Sequence, residues 1–237
     1  MARRKGEKEA LRRERERREA EAREAERRKK LVGYGGGGLL AIAAVAAIVF
    51  LAAGGNGAEG QGGGDVFPEG GDVPEQTEFQ LEPAAEAAGC DLRSERGSGV
   101  QDHTTTLDEN VDYDDNPPTD GRHYQVPAED GLYHEAPTDE QLVHTLEHGR
   151  VILWVKPSVS EEGRKAIRAL FDEDDYQMVV VPRSDMRPAI AATAWNRDPD
   201  PGGTGQTLAC PSWNENVVDA IRTFRDEHRS NGPEPAP

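Results

Sequence analysis

Residues 151–195 read VILWVKPSVSEEGRKAIRALFDEDDYQMVVVPRSDMRPAIAATAW, and this stretch decides the fold. Val151–Val155 is a short, wholly apolar and β-branched-rich run, the pattern of a strand buried on both faces. Ser158-Val159-Ser160-Glu161 has the spacing of a helix-capping box. Behind it, Ala166, Ile167, Leu170 and Phe171 recur at helical spacing and form one apolar stripe. Gln177–Val181 reads as a second buried strand and Ala189–Trp195 as a third. A strand, a helix and a strand in that order predict a right-handed crossover with a parallel strand pair. The third strand follows a short turn and is expected to run antiparallel to the second. The expected fold class is therefore α/β (α+β), a small mixed β-sheet flanked by helices.

Helices are predicted on both sides of this unit. Downstream, Asn216–His228 carries Val217, Val218, Ile221 and Phe224 on one face. Upstream, Thr138-Asp139-Glu140-Gln141 is a second capping box, so a helix should start near Asp139. Leu142, Val143 and Leu146 give that helix its apolar face, and Gly149 suits the left-handed position that ends it.

The upstream helix also carries chemistry. Its end reads His144-Thr145-Leu146-Glu147-His148-Gly149. Residues four apart share a helix face, so His144 and His148 can converge on one point, with Glu147 beside them. Before it, Asn116-Pro117-Pro118-Thr119-Asp120-Gly121 is dense in turn formers, and its prolines fix the backbone leading into His123. Three imidazoles and a carboxylate, His123, His144, His148 and Glu147, form the candidate metal group. They suit zinc or copper. No Met-rich or Cys-rich tract favours a dedicated Cu(I) carrier.

Two other readings of these residues stand at this point. His-x-x-Glu-His is the sequence form of inverted zinc proteases, in which Glu147 would be a general base and Glu215 a formal downstream ligand. Those enzymes need a much larger fold, and Gly149 ends the helix at once. Alternatively, the histidines are structural, hydrogen-bonding to the proline-rich loop. His103, His134 and His228 read as surface residues, and Trp154 and Trp195 as core.

Composition divides the 237 residues further. Residues 1–30 hold 14 Lys and Arg against 8 Glu, a net of +6. Pairs such as Glu14/Arg18 and Glu19/Arg23 suit a solvated, lipid-facing cytoplasmic helix. Residues 31–53 contain no charge and are long enough to cross a bilayer once as a helix. The basic flank places the N-terminus in the cytoplasm and the remainder outside the cell membrane. A cleaved signal peptide competes, but its leading region would be unusually long and rich in Glu. Residues 54–83 are Gly-, Glu- and Pro-rich and read as a flexible linker. Residues 84–229 form the expected globular domain, and 230–237 a disordered tail.

Residues 54–237 carry a net charge of −23 with only two lysines, Lys156 and Lys165. Such acidity favours solubility and disfavours nucleic acid. No nucleotide loop, Gly-x-Ser-x-Gly elbow or EF-hand pattern is present. The two cysteines, Cys90 and Cys210, both fall on the expected outer side, where an even pair reads as one disulfide.

Taken together, Pro117-Pro118-Thr119-Asp120-Gly121-Arg122-His123-Tyr124, Leu142–Val151, Thr193-Ala194-Trp195 and Gly232-Pro233-Glu234 resemble the bacterial and archaeal family known as domain of unknown function 3105. The resemblance covers residues 84–234. It implies one N-terminal membrane helix and one exported domain, and no particular reaction. Members more often have Ser where Asp120 stands. The expectation is a membrane-anchored metal-binding module; the alternatives are a metallohydrolase and a non-catalytic cell-envelope interaction domain.

Overall fold

The structure is a computed structural model that describes residues 65–107 and 111–234. The expected cytoplasmic helix (1–30), the membrane span (31–53) and the first part of the linker lie outside the described residues. Among those described, no helix is long and apolar enough to cross a membrane.

Four helices, α1 (Leu81–Ala88), α2 (Asp139–Glu147), α3 (Glu161–Glu173) and α4 (Asn216–His228), accompany eight strands. The strands are β1 (Asp91–Arg96), β2 (His103–Thr104), β3 (His123–Tyr124), β4 (Gly131–Leu132), β5 (Val151–Val155), β6 (Met178–Pro182), β7 (Ile190–Asn196) and β8 (Thr204–Cys210). Six strands form one mixed sheet in the order β1-β8-β7-β5-β6-β4. β5 and β6 pair in parallel across the crossover helix α3. β7 runs antiparallel as expected, but its partner is β5 rather than β6. The far side of β6 is taken by the two-residue strand β4.

The pleat sends alternate residues of the central strands to opposite faces. Val151, Leu153 and Val155 join Met178, Val180, Ala192 and Leu208 under α1, α3 and α4. Ile152 and Trp154 join Val179, Val181, Ala191 and Trp195 on the other face, where Leu142, Val143 and Leu146 of α2 cover them. Each of these α2 side chains is completely buried. Burying a side chain of this size contributes about 1.5–3 kcal/mol, so α2 is held to the sheet by its apolar face.

The caps set the helix limits. Thr138 accepts from the Gln141 N–H, so α2 begins at Asp139 as its capping box predicts. In α3 the cap is Ser160, accepting from the Gly163 N–H. This helix therefore starts two residues later than a cap at Ser158 would place it. At the other end of α2, Gly149 takes φ +79°, and the Gly149 and Arg150 N–H groups bond back to Leu146 O and Thr145 O. That is the Schellman arrangement that closes a helix on a glycine.

Cys90 and Cys210 form a disulfide with Cα atoms 4.2 Å apart. It continues the β1/β8 ladder by one pair beyond Asp91↔Ala209. The packed region starts well before residue 84. Phe67 is fully buried, Arg164 donates to Asp65 O and Val66 O, and Asp219 accepts from Thr77 and Glu78 N–H. Side chains of α3 and α4, namely Arg164, Asp219 and Arg222, hold the backbone of this stretch, which composition does not reveal. The tail is likewise bound where described: Ser230 N–H donates to Gly149 O, and Glu234 N–H to Glu147 O.

Candidate metal centre

One turn of helix and two short strands build the site. α2 presents His144 and, three residues later on the same side, Glu147. β3 presents His123. β2 pairs with β3 in parallel, and the register sets His103 directly beside His123. One ligand atom from each of His103, His123, His144 and Glu147 lies within 4.8 Å of every other. The three rings stand 4.5–4.8 Å apart, centroid to centroid. His123, His144 and Glu147 are buried, while the His103 side chain is 39 % exposed.

Backbone carbonyls orient the rings. His123 Nδ1 is 2.7 Å from Gly121 O, and His144 Nδ1 is 2.6 Å from Tyr124 O. A carbonyl only accepts, so each Nδ1 carries the proton and each Nε2 keeps a lone pair. This tautomer is the one that ligates a metal through Nε2. The turn Asn116–Gly121 therefore acts through its last carbonyl. Asp120 steadies the turn by accepting from Ser98 N–H and Oγ–H at 2.6 and 2.7 Å.

At the centre, His123 Nε2 and Glu147 Oε2 are 3.1 Å apart, and His103 Nε2 is 3.8 Å from the same oxygen. Neither His123 Nε2 nor Glu147 Oε2 has a hydrogen bond, although both are buried. The 3.1 Å approach is thus close in distance but not aligned as a hydrogen bond. Two ligands at about 2.0–2.1 Å from a zinc ion stand roughly 3.3 Å apart at a tetrahedral angle. The observed spacing fits a pair of ligand atoms aimed at a shared cation.

The electrostatics agree. Burial lowers the His144 pKa from 6.5 to about 4, against the pull of the Tyr124 carbonyl, and the neighbouring imidazoles lower it further. His144 is therefore a neutral base at neutral pH. Burial pushes the Glu147 carboxyl up, but the close side-chain approach of His123, and then the positive charge that His123, His103 and His144 carry when protonated, outweigh it and hold Glu147 below the usual glutamate value. An ionised Glu147 and a neutral His144 are the states in which these two groups ligate a metal.

The structure brings together His123, His144 and Glu147 of the residues singled out from the sequence, and adds His103. His148 stands outside this group. It is the C-cap of α2, and its Nδ1 is 2.8 Å from Glu234 O. Its ring remains 4.6 Å from that of His144. The i,i+4 spacing does bring the two rings side by side, with His148 N–H bonded to His144 O, but only His144 joins His103, His123 and Glu147. Glu215 lies at the start of α4, lining a groove with Lys165 and Trp213, and is not in the cluster. His134 is exposed beside Asp65. His228, read as a surface residue, is buried against Phe224 and accepts from Asn196 Nδ2. Trp195 sits in the core edge-on to His123, and Trp154 donates to Thr193. Nothing local in the sequence around His103 marks it; only the β2/β3 register reveals it.

These features define a mixed α/β domain with a His3Glu group mounted between one helix and a two-stranded ribbon. The chain belongs to the protein family of unknown function DUF3105, whose family model matches residues 103–237. The match includes all four residues of the group. No curated protein and no solved structure matches the chain.

Proposed function

We propose that this domain is a transition-metal-binding module that holds one divalent ion with His103, His123, His144 and Glu147. The observation that carries the reading is the buried pair His123 Nε2 and Glu147 Oε2, facing each other at 3.1 Å without a hydrogen bond. Leaving two such groups unpartnered costs about 1–3 kcal/mol, and more for a charged one. A cation between them removes that cost. Three nitrogens, one carboxylate oxygen and no thiolate suit Zn(II) or Cu(II). The ion would supply Lewis acidity there, while the chain's own residues fix the imidazole tautomers and bury the carboxylate. His103 is the one ligand with a solvent-facing side, so loading and exchange occur past it.

The metallohydrolase alternative uses His144 and His148 as ligands and Glu147 as a base. It is the weaker reading, because His148 lies outside the group that His103, His123 and His144 form, and Glu147 is itself a member of that group. We place the domain outside the cytoplasmic membrane, anchored through residues 31–53. The disulfide supports an oxidising compartment, and the basic flank of the apolar run supports that orientation. A non-catalytic envelope interaction domain remains the alternative if no ion binds.

Elemental analysis of the full-length protein after zinc loading and dialysis at neutral pH tests the reading. About one ion per chain is expected in the wild type, with marked loss in His123→Ala and Glu147→Ala. Less than about 0.1 ion per wild-type chain rejects it.

A further inference from the structure

The segment Ser230–Glu234, which contains the Gly232-Pro233-Glu234 block, contributes no ligand atom. It nevertheless meets α2 where the helix ends. Ser230 N–H donates to Gly149 O at 2.7 Å, and Glu234 N–H donates to Glu147 O at 3.1 Å. His148 Nδ1–H donates to Glu234 O at 2.8 Å. Arg197 N–H, just past β7, donates to Asn231 O at 2.8 Å and ties the same segment to the sheet.

The contact depends on two glycines. A Cβ added to Gly232 would collide with the Glu147 carbonyl oxygen and the Gly149 nitrogen. A Cβ added to Gly149 would lie 2.8 Å from the Gly232 nitrogen. Backbone therefore meets backbone directly at the residue that carries the buried carboxylate. This is where a helix is least secure: its last carbonyls have no partner within the helix, and its last turn frays. The chain nevertheless places a ligating carboxylate on that last residue.

We propose that Ser230–Glu234 is a positioning strap of the metal site. It holds the Glu147 backbone, and so its carboxylate, against the imidazole group. Gly232 permits the approach, and His148 clamps the strap through Nδ1. His148 acts here through Nδ1, and it stands outside the group formed by His103, His123, His144 and Glu147. The inference rests on the metal reading above. Losing the strap leaves the apolar face of α2 on the sheet, because Leu142, Val143 and Leu146 pack there independently. The effect should therefore fall on metal affinity and ligand geometry before it falls on folding.

The test uses the full-length protein and the Gly232→Ala, His148→Leu and His148→Gln variants. Zinc affinity is measured by chelator competition, the visible spectrum is recorded with Co(II), and metal-free melting is followed in parallel. Gly232→Ala and His148→Leu should weaken zinc by about 10- to 100-fold, the usual effect of losing a group that orients a ligand. Both should alter the Co(II) bands while metal-free melting moves little. Glutamine can still donate to the Glu234 carbonyl, so His148→Gln should recover most of the affinity. Wild-type zinc affinity in Gly232→Ala overturns the strap alone. If Gly232→Ala does not fold, the His148 pair decides: equal losses in leucine and glutamine overturn the clamp. A wild-type protein that takes no metal removes the metal reading and the strap with it.

Discussion

Chelating and restoring the metal should move the melting temperature of this domain by an amount that follows from its architecture. The four residues come from three segments spanning positions 103 to 147, and they meet only when β2, β3 and α2 are in place. The unfolded chain presents scattered imidazoles and binds the ion far more weakly. Binding to the folded state alone stabilises by RT ln(1 + [metal]/Kd), about 2.7 kcal/mol at one hundred times Kd. A domain of this size shifts by roughly 2–4 °C per kcal/mol. Zinc at that excess should therefore raise the melting temperature of chelator-treated protein by about 5–11 °C. Residual binding to the unfolded chain makes the upper value a ceiling. Scanning calorimetry or circular dichroism at neutral pH reads the shift directly. Glu147→Ala and His123→Ala should abolish most of it. Melts that coincide within about 1 °C with and without zinc would refute the reasoning, as would a shift that survives both substitutions intact.

Other consequences follow from the same structure. Cys90 and Cys210 are 120 residues apart in sequence, so reduction or Cys90→Ser should remove about 4–5 kcal/mol in the chain-entropy account and change gel mobility; free thiols in native protein would contradict the bridge. Burial lowers the His228 pKa from 6.5 to about 4, so the unfolded chain takes up that proton first. The contribution of neutral His228 is complete above about pH 6.5 and is lost as pH falls toward 4, by at most about 3 kcal/mol. His228→Leu should flatten that part of the acid unfolding curve relative to wild type, and identical slopes would show that His228 does not drive it. The full-length protein should sediment with membranes and need detergent for release, whereas a chain lacking residues 1–53 should stay in the supernatant; equal behaviour would remove the anchor.

The parts of the fold legible in the sequence are those whose burial follows a period. β5 and β6 are apolar throughout, and α3 and α4 carry helical stripes, so pattern alone locates them. The neighbour of β7 was not legible, because it depends on β4, a two-residue strand with no pattern of its own. β1 (DLRSER) is exposed along its length and held by ladder register and the disulfide, and neither leaves an apolar signature. β8 sets Thr204 and Gln206 on the same face as Leu208 and Cys210, so its alternation is too weak to stand out. Residues 65–83 pack chiefly through backbone carbonyls and N–H groups, so their composition resembles a linker.

The site divides in the same way. His144 and Glu147 are legible because they share one helix, and His123 because a proline-rich turn leads into it. His103 reaches the cluster through the pairing of two-residue strands, a long-range fact with no local trace. His148 follows the helical period and its ring lies 4.6 Å from that of His144, but it is not one of the four residues that converge, and no local pattern tells it from His144.

The most direct measurement is a crystal structure of zinc-loaded protein with data collected on both sides of the zinc absorption edge. A single anomalous peak is expected among His103, His123 and His144 Nε2 and a Glu147 carboxylate oxygen, about 2.0–2.2 Å from each. No peak at that position, or a peak held by His148 with His103 turned away, would contradict the account.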